Sequence, residues 1–120
     1  MPDCEQLNFA HGLPRGEAIA RLNDTLRTTA SGGRIMVTKG VLSLAGFTTA
    51  ALLAALAAYD QFDVDNDPHG ERDFGDLELF GATLLFKIDY FDSGLEYGSS
   101  DPADPAVTTR VLTVMLETEY

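Results

Sequence analysis

Apolar residues follow two spacings along this chain, and the two occupy different stretches. Helical spacing comes first. Ile19, Leu22 and Leu26, with Ala18 beside them, recur every three to four residues, which predicts a helix over residues 14–30 with that stripe facing the core. Pro14 suits a first turn, where its missing N–H costs nothing. Ser31-Gly32-Gly33 ends the segment. A second helix is predicted over 49–61, with Thr48 as its N-cap and Phe47 placed to staple onto Leu52. Leu52, Leu53, Leu56 and Tyr59 form its buried stripe, and its many alanines allow close approach of another element. Between the helices, 34–38 reads as a strand of branched apolar residues and 41–44 as another short one.

Alternation takes over in the second half. Residues 74–80 read as a strand, and Gly81-Ala82 as a two-residue connection closing a II′ hairpin. The longest strand spans 83–91, with Leu84, Phe86, Ile88 and Tyr90 on one face and Lys87 and Asp89 on the other. Asp92-Ser93-Gly94 turns the chain into a third strand at 95–98. Asp101-Pro102 and Asp104-Pro105 each set an aspartate before a proline, which is N-cap chemistry. Val107, Val111, Val114 and Met115 then give a helical face. The β-branched content makes strand the alternative there, and the lack of strict alternation favours helix. The resulting order is α-β-α-β-β-β-α. Hairpin-linked strands of this kind predict an α+β fold, an antiparallel sheet of three to five strands with helices on one face. Residues 1–12 lack periodicity and read as an irregular arm ahead of a single domain over 13–120.

Charge changes the picture more than composition does. The 120 residues carry a net charge of −11, more than the roughly 2–8 usual for a small domain. Residues 1–59 hold four acids and five bases, whereas residues 60–120 hold fifteen acids and three bases. Direct binding to nucleic-acid phosphate needs the opposite sign. A cation or a basic protein surface is the better electrostatic partner. The single cysteine, Cys4, cannot form an internal disulfide. With no signal-peptide pattern and no apolar run of membrane length, a cytoplasmic protein is the expectation.

The densest polar stretch runs through Asp63, Asp65, Asn66, Asp67, His69, Glu71, Asp73 and Asp76. Read as a calcium loop from Asp65, it puts Gly70 at the sharp turn. However, His69 replaces an oxygen ligand, Asp76 a longer glutamate and Arg72 an apolar residue, and a strand follows where a helix belongs. A nonstandard divalent-cation site at Asp65, Asp67, His69, Glu71 and Asp73 is the metal alternative, which would make the chain a metal-binding domain or a metal-dependent enzyme centred on residues 63–76. A solvated turn, with Asp and Asn side chains bonding nearby backbone, accounts for the same residues. His69 is the candidate general base, since imidazole titrates near neutral pH, but no nucleophile accompanies it. His11 and Cys4 have nothing local to orient or activate them. Lys87, Asp89 and Glu78 read as a cross-strand charge group. No phosphate loop, dinucleotide fingerprint, HExxH pair or GxSxG elbow occurs.

Several strings are spelled more particularly than turns require. Asn66-Asp67-Pro68-His69-Gly70-Glu71, Asp73-Phe74-Gly75, Lys87-Ile88-Asp89-Tyr90 and Ser100-Asp101-Pro102 resemble a bacterial family known as domain of unknown function 3768. So do Leu22-Asn23-Asp24 and the tail from Arg110-Val111-Leu112-Thr113 to Glu119-Tyr120, so that the likeness covers most of the chain from about residue 17. Relatives commonly carry histidine where this chain has Arg72, so a second imidazole is missing here. The resemblance implies a bacterial protein often met on mobile elements, and supplies no activity or catalytic residue. Charge and resemblance together predict a non-enzymatic accessory protein. Asp63, Asp65, Asp67, Glu71, Asp73 and Asp76 would bind a basic partner, in the extreme as a nucleic-acid mimic inhibiting a nucleic-acid-binding defence protein.

Overall fold

The computed structural model describes residues 13–120. It shows an α+β protein built on one mixed four-stranded sheet. Helix α1 spans Arg15–Thr29, strand β1 Arg34–Val37, the single turn α2 Lys39–Leu42 and helix α3 Thr49–Ala58. Strands β2 (Phe74–Leu79), β3 (Ala82–Phe91) and β4 (Thr109–Leu116) follow, and a 3-10 turn covers Glu117–Glu119. The spatial order is β1-β4-β3-β2. β2, β3 and β4 are antiparallel neighbours, but β1 lies parallel to β4, pairing Val37 with Val114. The sheet is therefore not purely antiparallel.

The largest departure from the sequence reading is β4. Residues expected as a last helix form a central strand instead. Arg110, Leu112 and Val114 are buried on one face, and Met115 is buried on the other. Burial does alternate along the strand, but Val111 and Met115 on the less buried face and Arg110 on the buried one blur the alternation of hydropathy that would have marked it. The Asp-Pro pairs cap turns rather than a helix. The Asp101 side chain accepts from the Ala103 N–H at 3.2 Å, and that of Asp104 from the Ala106 N–H at 2.9 Å.

Three smaller corrections have local causes. The 41–44 segment is no strand: Val41 and Leu42 close the turn α2, which Thr38 caps, its hydroxyl accepting from the Val41 N–H, and Ser43 and Leu44 lead out of it. Residues 95–98 form a loop with one bridge, Phe91 to Gly98. The Asp92 carboxylate holds that loop by accepting from the N–H groups of Glu96 and Tyr97. The β2–β3 connection uses Phe80-Gly81 rather than Gly81-Ala82. Leu79 pairs with Ala82, and both loop residues have positive φ, 56° and 75°, the type I′ pattern that matches strand twist.

Thr48 does cap α3, accepting from Ala51 N–H at 3.1 Å, but the helix stops at Ala58 because Tyr59 turns extended. Its ring meets Phe86 and Phe62 edge to face, with centroids 5.2 and 4.9 Å apart. Leu26, Val41, Leu52 and Leu56 from the three helices join Leu84, Phe86, Ile88, Leu112 and Val114 in one core. α1 presents a slightly rotated face, burying Asn23 and Arg27 beside Ile19 and Leu26, with Leu22 half-buried.

Gly75 on β2 is what lets Tyr59 lie flat on the sheet. A Cβ there would come within 2.6 Å of both the Tyr59 and the Phe86 ring. Gly75→Ala is expected to cost about 1–3 kcal/mol by overpacking, read as a lower urea midpoint, whereas Gly94→Ala, in open loop, should leave it unchanged.

Candidate functional site

The residues singled out in the acidic stretch divide by what their side chains do. Asp63 is a turn-former: its Oδ1 accepts from the N–H groups of Asp65 and Asn66 at 2.9 and 3.1 Å. Asp67 Oδ1 accepts from the Arg72 N–H at 3.0 Å, fixing a loop in which Gly70 and Arg72 both have positive φ. Glu71 reaches inward, and its Oε1 accepts from the Tyr90 hydroxyl at 2.8 Å. Asp73 is half-buried at the start of β2, its carbonyl bonded to the Ile88 N–H. Asp65, Asp76 and His69 face solvent. Among the described residues, no three His, Cys, Asp or Glu side chains are placed to hold a metal ion. His11 and Cys4 lie outside the described residues. Lys87 and Asp89 do form an ion pair, while Glu78 sits opposite Thr83 and accepts its hydroxyl.

The structure assembles a site that the pattern of charges did not single out. Asn23, fully buried on α1, donates to the Glu71 carbonyl at 3.0 Å and to the Tyr90 hydroxyl at 2.8 Å. Its Oδ1 accepts from Arg110 Nε at 2.9 Å. The Arg110 guanidinium is 2% exposed, donates to the Pro102 carbonyl and stacks over the Tyr90 ring with its Cζ 5.2 Å from the centroid. It forms no ion pair among the described residues. One layer outward, Arg72 grips Asp24 through Nε and Nη2 at 2.8–3.1 Å and reaches Glu17 at 3.3 Å. Arg27 joins Asp24 to the Leu56 carbonyl at the end of α3. α1, the acidic loop, β3, β4 and the 99–108 turn all meet here. The signal available beforehand was an Asn and an Arg at core positions, inside strings that looked family-like.

Electrostatics follow from this packing. Burial foremost, with help from the Glu71 carboxylate, pushes the Tyr90 phenol far above its usual range, so it remains a donor. Burial lowers the Arg110 pKa, and Tyr90 and Glu71 oppose that. For Asp24, burial alone would raise the pKa, but hydrogen bonds from Arg72 and Arg27 outweigh it and the net shift is downward. Asp73 shifts upward, from burial first and then from Glu71 and Asp67 nearby. Chemically, this is a hydrogen-bonded clamp around one buried guanidinium.

The strings that spell the clamp also identify its relatives. A family described as "Protein of unknown function (DUF3768)" matches residues 37–119. The chain belongs to this family. The matched span carries Glu71, Arg72, Tyr90 and Arg110; Asn23 and Asp24 lie ahead of it. No curated protein and no solved structure matches the chain.

Removing Asn23 strips a buried guanidinium of an acceptor and the Tyr90 hydroxyl of a donor. Asn23→Ala is therefore expected to lose about 2–4 kcal/mol in chemical denaturation, against roughly 1 kcal/mol or less for Arg21→Ala, whose pair with Glu17 is exposed.

Asp24 and Asp73 make opposite pH predictions. A carboxylate with a lowered folded pKa stabilises above its unfolded value near about 3.9 and loses that as pH falls through the folded pKa. One with a raised pKa favours folding when protonated, and that contribution disappears as pH rises through the folded pKa. Asp24→Asn should accordingly lower the thermal midpoint at neutral pH and have little effect in acid. Asp73→Asn should raise it at neutral pH and converge with the parent in acid.

Proposed function

We propose that this member of the family is a small, non-enzymatic accessory protein that binds a basic protein surface through its acidic C-terminal half. One observation carries the reading. Of the acidic side chains in residues 60–120, only Asp89 and Asp101 meet a basic partner among the described residues. Arg72, the basic residue inside the acidic stretch, is turned away to Asp24 and Glu17 on α1. Asp60, Asp63, Asp65, Asp76 and Glu78 remain exposed on the loop and on edge strand β2. The Tyr59 hydroxyl donates to the Gln61 carbonyl at 3.2 Å and accepts from the Asn66 amide at 3.4 Å, while its ring lies against Gly75, so the loop is held beside strand β2. A rigid array of carboxylates on a sheet edge supports binding to a cationic surface, and in the extreme form replaces phosphates against a nucleic-acid-binding protein of the kind that defends against mobile elements. No helix of the described residues is long and apolar enough to cross a membrane.

The test uses a histone dimer as basic probe, titrated at low and moderate salt and in competition with duplex DNA. Binding should weaken by about tenfold or more across that range, and DNA should compete. The combined substitution Asp63→Asn, Asp65→Asn and Asp76→Asn removes charge while an amide oxygen at position 63 still caps the loop. It should weaken binding by about fivefold or more. Affinity indifferent to both salt and the substitutions would overturn the reading.

A further inference from the structure

The opposite edge of the sheet has a different character, and it carries an inference independent of the acidic face. β1 is an edge strand, bonded to β4 alone among the described residues. The Thr38 N–H bonds to the Val114 carbonyl, with Val37 in register with Val114. In a parallel ladder, alternate residues turn their N–H and C=O groups to the same neighbour. Met36 and Thr38 therefore face β4, and the main-chain groups of Ile35 and Val37 point away from it. Neither residue has another hydrogen bond among the described residues. The side chains of the same two residues border an open apolar cleft of about 250 Å³, closed by Leu42, Phe47, Leu52 and Leu53 from α2, its following loop and α3. Leu42 is 51% exposed at its mouth. Arg34 and Lys39 flank the strand at its two ends, both exposed and without an acidic partner among the described residues. In a chain of net charge −11, Arg34 and Lys39 put two cations beside one apolar cleft, against a single nearby acid, Glu119, which accepts from the Thr38 hydroxyl at 2.7 Å.

We propose that this edge captures an extended segment of another protein by strand addition. The segment is apolar at alternate positions and carries carboxylates at its ends. The occupant follows from three features together. Outward N–H and C=O groups of Ile35 and Val37 supply ladder bonds, the cleft takes the alternate side chains, and Arg34 and Lys39 select acidic flanks. β1 is only four residues long, so main-chain bonding is brief and the cleft supplies most of the selectivity. This surface is separate from the acidic one and takes a partner of opposite sign, so either can fail without the other.

The probe is a short synthetic peptide with valine at alternate positions and glutamate at both ends, followed by amide NMR and hydrogen exchange on the full chain. Binding should slow exchange at Ile35 and Val37 and shift Leu42, Phe47 and Leu53. The lysine-flanked version of the peptide should bind about tenfold more weakly, and so should a version N-methylated at the positions facing β1. Leu42→Glu, at an exposed position, should abolish the shifts without moving the thermal midpoint. Absence of protection at Ile35 and Val37 at millimolar peptide would overturn the proposal. So would equal binding of the lysine-flanked peptide, or protection that appears without peptide as protein concentration rises, since the edge would then serve a second copy of the chain.

Discussion

A buried arginine that meets no carboxylate among the described residues sits at the centre of this protein. Arg110 occupies a core-facing position on the central strand, where a charge is costly unless every donor is engaged. Neutral groups from three parts of the chain engage it, the Asn23 amide, the Pro102 carbonyl and the Tyr90 ring, and the Tyr90 hydroxyl in turn donates to the Glu71 carboxylate of the acidic loop. Because those groups come from α1, the 99–108 turn, β3 and the acidic loop, satisfying one guanidinium fixes the positions of all four. A half-made network of this kind is worse than an apolar core, which ties local order in the acidic loop to the packing of α1 on the sheet.

That arrangement decided what could be read in advance. α1 and α3 were legible because their apolar spacing and the Thr48 cap are local signals. The β2–β3 pair was legible because Leu84, Phe86 and Ile88 alternate with Lys87 and Asp89. β4 was not. Its less buried face mixes Val111 and Met115 with Thr109 and Thr113, and its buried face carries Arg110, so hydropathy does not alternate cleanly. The two Asp-Pro pairs advertise a helix start equally well as the turns they make. The parallel placement of β1 beside β4 is also silent locally, since it joins residues more than seventy positions apart and depends on β4 being a strand.

The candidate site divides the same way. Acidity of the 60–78 stretch was plain from composition. The inward turn of Glu71 and the outward aim of Asp65 and Asp76 were not, because these depend on the Tyr90 hydroxyl and on the left-handed backbone at Gly70 and Arg72. Asp63 and Asp67 spend hydrogen-bonding capacity on the loop's own N–H groups. The loop is thus shaped by some of its acids and charged by all of them. Arg72, which looked like a local counter-charge, belongs instead to α1 through Asp24.

The place of β4 in the sheet has a consequence for assembly. Every other strand precedes it in the chain, yet β1 reaches the sheet only through β4, and β3 gains its second neighbour there. During synthesis, the β2–β3 hairpin can form early as a local structure, but β1 has no strand to pair with, and the core that Leu26, Leu52 and Leu56 share with Leu112 and Val114 stays incomplete, until residues 109–116 emerge. Closing a pairing of such long sequence separation is slow, and exposed hairpin edges in the interval favour association with other chains. The net negative charge of the acidic stretch just ahead of that hairpin opposes such association by like-charge repulsion.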